Sequence, residues 1–101
     1  MYYIYILYSE TLKKYYIGQS NDPWKRLEQH NENPRDKFTG KAQDWELKAT
    51  FEVSENRAEA VRVERFIKNQ KSRKFIDKLI DPSTELVGEL AQLVRVSHMR
   101  N

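Results

Sequence analysis

Apolar side chains fill every position from Tyr2 to Tyr8, and a mainly polar, turn-like stretch follows from Ser9 to Lys14. A short apolar run bounded by turn-forming residues predicts a buried strand. Tyr15, Tyr16 and Ile17 resume the pattern and Gly18 closes it, so the two segments together predict a β-hairpin. Asn21-Asp22-Pro23 predicts a helix start: the Asp22 carboxylate accepts from free N–H groups, and Pro23 suits the first helical position. Trp24, Leu27 and the stem of Lys25 supply the inward side of this helix, which fades over Asn31 to Pro34. The polar stretch from Pro34 to Asp44, with Gly40 inside it, reads as a loop. From Trp45 the pattern alternates. Trp45, Leu47, Ala49, Phe51 and Val53 are interleaved with Glu46, Lys48, Thr50 and Glu52, which predicts a strand with one buried face. Ser54 is expected to cap the next helix. Ala58, Ala60, Val61, Val63, Phe66 and Ile67 give that helix an apolar side wide enough to pack on a sheet. A shorter helix is expected from Arg73 to Leu79, with Phe75, Ile76 and Leu79 inward, and Asp81-Pro82 closes the compact part.

The order strand, strand, helix, strand, helix, helix indicates an α+β class. A chain of 101 residues holds one domain, expected over 1–81, with 82–101 as a tail that is disordered or a short helix. Leu86, Leu90, Leu93 and Val94 would form the apolar side of such a helix. A second reading is open, because Glu89–Arg95 (ELAQLVR) also matches a translation of the 5′ part of a bacterial tRNA gene. The tail would then be incidental, which the coding DNA would test. No function is expected in it.

Composition narrows the chemistry. Apolar residues make up 39% and aromatics 12%, which suits a folded domain and not a disordered one. The absence of cysteine excludes disulfides, thiolate metal sites and a cysteine nucleophile. Two histidines, His30 and His98, exclude a histidine-rich metal site. The N-terminal apolar run is too short to cross a membrane and lacks a signal-peptide pattern, so a cytoplasmic protein with no membrane partner is expected. The net charge of +3 is modest. Its distribution is more informative: seven basic and two acidic side chains fall between Arg62 and Lys78. Arg62, Arg65, Lys68, Lys71, Arg73 and Lys74 are therefore candidates for contact with a polyanion, although a solvated helix face explains the same charges.

Five residues invite a mechanistic reading. Tyr5 and Tyr16 lie on the two hairpin strands, Arg26 and His30 share one helix face at i,i+4, and Glu64 is an acid beside the apolar stripe of its helix. Phosphodiester hydrolysis needs a positioned base for the attacking water, a cation such as arginine for the charge at phosphorus, and a carboxylate able to hold Mg²⁺ or Mn²⁺. Each residue also has an ordinary structural reading: core or rim tyrosines, a surface arginine, a helix-terminal His-Asn, and a Glu64–Lys68 pair at i,i+4. Taken singly, none establishes an activity.

The order of these motifs resembles the GIY-YIG nuclease superfamily. Tyr3-Ile4-Tyr5 stands where the family has Gly-Ile-Tyr, and Tyr16-Ile17-Gly18 matches Tyr-Ile-Gly. Residues 20–31 are similar to the family's arginine-bearing helix with its His-Asn ending. Arg57-Ala58-Glu59-Ala60 through Glu64 to Ile67-Lys68 is similar to the helix bearing its metal-binding glutamate. The resemblance covers about residues 2–80 and is closest to small stand-alone bacterial members related to the UvrC N-terminal nuclease domain. It implies a three-stranded antiparallel sheet flanked by helices and an endonuclease acting on nucleic acid, with DNA the expected substrate and Mg²⁺ or Mn²⁺ the cofactor. It further implies Glu64 as metal ligand, Arg26 on the phosphate, Tyr5 and Tyr16 lining the site, and His30 assisting proton transfer, with the division of labour between the tyrosines open. Departures are Tyr3 for the first glycine and Gln19 where some members have lysine. Asn69 lies too near Glu64 to take over the asparagine that follows the glutamate helix in some members. Two other classes stay open: a nucleic-acid-binding module of the same fold with little turnover, and an unrelated protein-interaction domain.

Overall fold

The structure, a computed structural model, describes residues 1–32 and 41–97. The two N-terminal apolar runs form β1 (Tyr2–Ser9) and β2 (Lys14–Ser20), paired antiparallel from Tyr3↔Ser20 to Ser9↔Lys14. Asp44 clasps their turn. Its carboxylate accepts from Ser9 Oγ at 2.7 Å and from Thr11 N and Oγ1 at 2.9 Å each. These bonds, that from Ser9 first, hold the Asp44 carboxyl below its ordinary value.

The first helix, α1 (Pro23–Glu32), begins as expected, with Asp22 Oδ1 accepting from Lys25 N at 3.1 Å. Lys25 is exposed, while Trp24 and Leu27 are half-buried against the sheet. Most of the expected loop from Pro34 to Asp44 lies outside the described residues. The alternating segment forms β3 (Trp45–Ser54), antiparallel to β1 on the side away from β2. The next helix is α2 (Arg57–Asn69). Its cap is Asn56, whose Oδ1 accepts from Ala58 N at 2.8 Å, and not Ser54, whose hydroxyl accepts one step earlier, from Asn56 N at 2.9 Å. The last helix, α3 (Arg73–Ile80), is capped by Ser72 on Phe75 N at 3.1 Å.

Three further expectations are corrected. The alternation in β3 does not define one face. The register with β1 slips between Ile6↔Ala49 and Leu7↔Leu47, leaving Lys48 as an extra residue. Such a bulge reverses the sense of alternation. Trp45 and Leu47 therefore pack with Tyr5 and Leu7 under α1, whereas Ala49 and Phe51 pack with Ile4, Ile6 and Ile17 under α2 and α3. The tail is neither disordered nor an amphipathic helix where it is described. It makes a single 3₁₀ turn at Gly88–Leu90 and then β4 (Val94–Val96), which pairs antiparallel with β3. The sheet thus has four strands, in the order β2-β1-β3-β4, and not three. Leu90 and Leu93 are buried in the core under α2, which gives the tail a structural role. No helix among the described residues is long and apolar enough to cross a membrane.

Candidate active site

The hairpin register places Tyr5 opposite Gly18. A Cβ on Gly18 would lie 2.5 Å from the Tyr5 hydroxyl oxygen, so the ring fits only because position 18 has no side chain. Tyr16 sits on the same face, its ring centroid 6.3 Å from that of Tyr5. The last turn of α1 brings His30 beneath both. It is 2% exposed, its Nε2 is 3.1 Å from the Tyr5 hydroxyl, and its ring is 4.7 Å from Tyr16. Asn31 anchors this turn: its amide accepts from Trp45 N at 2.8 Å and donates to Trp45 O at 3.0 Å, as a neighbouring strand would. Nothing in the sequence predicts this anchoring role for Asn31 beyond an amide that follows the histidine.

Arg26 shares the His30 face of α1. Its guanidinium donates to Gln29 Oε1 at 2.7 Å, and it acts on the Tyr5 hydroxyl closely enough to lower the pKa of that group. Glu64 approaches from α2. Its carboxylate is half-buried and forms an ion pair with Lys68 at 2.9 Å, so the expected i,i+4 pairing is present. Lys68 Nζ also lies 5.8 Å from the centre of the Tyr16 ring. The Tyr5 phenol is pushed up to about 12, chiefly by burial and then by Tyr16; Arg26 draws it down, and the charge of Glu64 adds a smaller upward push. Tyr5 is therefore a neutral phenol over the physiological range. The five candidate residues converge on one locality, with Tyr5 at its centre.

Among the described residues, no three His, Cys, Asp or Glu side chains cluster to hold a metal. The donor set nevertheless suits a hard cation of the Mg²⁺ type, which keeps much of its water and takes one or two carboxylates. Glu64 is the carboxylate present, and Lys68 competes for it.

The basic stretch is not one strip. Lys68 and Lys71 border Tyr16. Arg62 is tied to Glu59 and Glu89 at 3.1 and 2.9 Å, and lines another surface with Arg65. Arg73 stacks on Tyr15 and Tyr8 at 5.2 and 5.7 Å and donates to Lys13 O at 2.9 Å, which fastens α3 to the hairpin turn. Lys74 is exposed on the first turn of α3.

Comparison with protein families finds that the family model of the GIY-YIG catalytic domain matches residues 1–77. Comparisons with curated proteins and with solved structures found no match.

Proposed function

The chain belongs to the GIY-YIG catalytic domain family, and from that premise we propose that it is a metal-dependent endonuclease that hydrolyses phosphodiester bonds in DNA in the cytoplasm. The observation that carries this reading is the convergence of Tyr5, Tyr16, Arg26, His30 and Glu64 on one locality, drawn from β1, β2, α1 and α2. In this reading Arg26 takes two oxygens of the scissile phosphate, since its planar fork matches them. Tyr5, a phenol at neutral pH, is a hydrogen-bond donor and not a base. Tyr16, half-buried and facing open space, is the tyrosine placed to meet the attacking water. His30 serves as proton relay, with its ring oriented through the Tyr5 hydroxyl. Glu64 would hold Mg²⁺ or Mn²⁺, with water and phosphate completing the shell, and the ion would supply charge stabilisation at phosphorus. Water adds to phosphorus as the P–O bond to the leaving strand breaks, and a proton passes to the departing oxygen.

The Glu64–Lys68 pair favours a second reading, a nucleic-acid-binding module in which the carboxylate is kept from the metal. Labelled single-stranded, duplex and branched DNA with Mg²⁺ or Mn²⁺ separates the two. The wild type is expected to cut, and Glu64→Ala, Arg26→Ala and EDTA are each expected to abolish cutting. Cleavage that survives all three refutes the nuclease assignment. Salt-sensitive binding with no cleavage at any metal concentration supports the binding module.

A further inference from the structure

A groove of about 370 Å³ opens beside Tyr16, and the chemistry above gives no task to Tyr15, Ile67, Lys71 and Ile76 in its lining. It lies where β2 meets the end of α2 and the start of α3. Tyr15, Tyr16, Ile67 and Ile76 form its walls, and Lys68 and Lys71 stand on its rim. Its volume is at the small end of the range for sites that take small organic groups, roughly 300–1,000 Å³. Tyr16 belongs both to this groove and to the candidate active site, so the two are continuous.

The rim is built at some conformational cost. Lys71 has a φ of +50°, in the left-handed region that disfavours residues with a side chain, and its N–H donates to Lys68 O at 3.2 Å. That turn keeps Lys71 on the same groove as Lys68. Lys68 keeps Glu64 as its partner, which leaves Lys71 as the stronger phosphate contact. Among the described strands, β2 has a neighbour on one side only.

Aromatic and aliphatic walls and a cationic rim together fit a flat heteroaromatic group carried next to a phosphate. A purely apolar partner would strip water from two ammonium groups without replacement, and a bare phosphate would have no use for the walls. We propose that the groove is a base subsite, holding one unpaired nucleobase of the substrate strand next to the scissile phosphate, with Lys71 on the adjoining phosphate. This rests on the nuclease reading and deepens it, because it selects substrates with an unpaired nucleotide beside the cut. A base inside a continuous duplex must first be unstacked to enter, whereas an unpaired one is already free.

Fluorescence of 2-aminopurine tests the subsite without cleavage. In EDTA, the full chain is expected to quench the probe severalfold when it is an unpaired nucleotide in a duplex, and to leave it unchanged when it is paired. Ile76→Trp, which fills the groove, is expected to abolish quenching. Lys71→Glu, at an exposed position, is expected to weaken binding of the unpaired substrate about tenfold, as loss and reversal of a phosphate contact does, and it serves if Ile76→Trp fails to fold. With metal present, cleavage beside an unpaired nucleotide is expected to exceed that beside an abasic site at least tenfold. Cleavage with neither quenching nor base preference overturns the subsite and leaves the nuclease standing. Quenching that responds to both variants, with no cleavage, upholds the subsite and removes the nuclease. Absence of both overturns both.

Discussion

Tyr5 and Gly18 face each other across the β1–β2 ladder so closely that any side chain at position 18 would occupy the place of the Tyr5 hydroxyl. The glycine of the Tyr16-Ile17-Gly18 motif is thus a steric requirement of the tyrosine on the neighbouring strand. Gly18→Ala is expected to destabilise the fold by about 1–3 kcal/mol, the usual cost of overpacking a core, and to displace the ring from His30. Urea unfolding together with a cleavage assay checks this. Unchanged stability and activity would show that the Tyr5 ring has room the geometry denies it.

Tyr5 also predicts an alkaline limit. Its phenol is raised to about 12 in the folded chain, against the ordinary value of 10.0. Between those values the unfolded chain loses the proton and the folded chain keeps it, so stability is intact below about pH 10 and falls as the pH rises toward 12. At about 1.4 kcal/mol for each pH unit crossed, Tyr5 accounts for a loss on the order of 3 kcal/mol. Tyr15, raised to about 12 by partial burial and its 2.6 Å hydrogen bond to Asp77, acts in the same direction. Denaturant melts from pH 9 to 12 are expected to show this decline, and Tyr5→Phe to flatten it. An equal decline in Tyr5→Phe would place the alkaline limit elsewhere.

The bulge at Lys48 turns Thr50 into the layer beneath Tyr5, where it is 1% exposed and its hydroxyl has no hydrogen-bond partner among the described residues. Thr50→Val keeps the shape and removes the unsatisfied group. It is expected to raise stability by about 1 kcal/mol. Destabilisation measured in urea would mean that the hydroxyl has a partner after all.

This bulge marks the limit of what the sequence discloses. The hairpin, the start of α1 at Asp22-Pro23 and the extended character of residues 45–54 all follow from local pattern and turn chemistry, and the fold has them. The pattern of Trp45 to Val53 is the same for a regular strand and for one reversed midway, because the extra residue is paid for by pairing with β1, which no window of sequence contains. The same holds for Val94–Val96, three residues that become a strand only because β3 is beside them. For the site, types and order of residues pointed to Tyr5, Tyr16, Arg26, His30 and Glu64. Their convergence, and the Asn31 anchor that supports His30, depend on packing between elements far apart in the chain.

In the proposed reaction a divalent cation would compete with the Lys68 ammonium for the Glu64 carboxylate. Lys68→Met is expected to lower the Mg²⁺ concentration for half-maximal cleavage by a factor of about two to five, in keeping with the modest strength of partly exposed ion pairs. A metal titration of cleavage reads this directly. A requirement that rises instead would mean that Lys68 assists the reaction and does not compete with the ion.

The tail carries a prediction of its own. Leu90 and Leu93 are each 5% exposed in the core under α2. Burial of a leucine is worth about 1.5–3 kcal/mol, so ending the chain at Pro82 is expected to cost several kcal/mol and to lower the melting temperature by more than ~10 °C, at about 4–8 °C per kcal/mol for a domain of this size. Leu93→Ala alone is expected to cost about 2–5 kcal/mol. A truncated chain that melts with the full one would make the tail incidental.

The late position of β4 has a consequence for synthesis. Every proposed site residue, from Tyr5 to Glu64, leaves the ribosome before the strand that covers β3. For the time taken to add Glu55 through Leu93, about two to eight seconds at about 5–20 residues per second, the nascent sheet offers a bare edge along β3. An unpaired edge is a template for other strands. The growing chain therefore passes through an interval in which every residue of the proposed site has been made and its sheet is open to association with a neighbour.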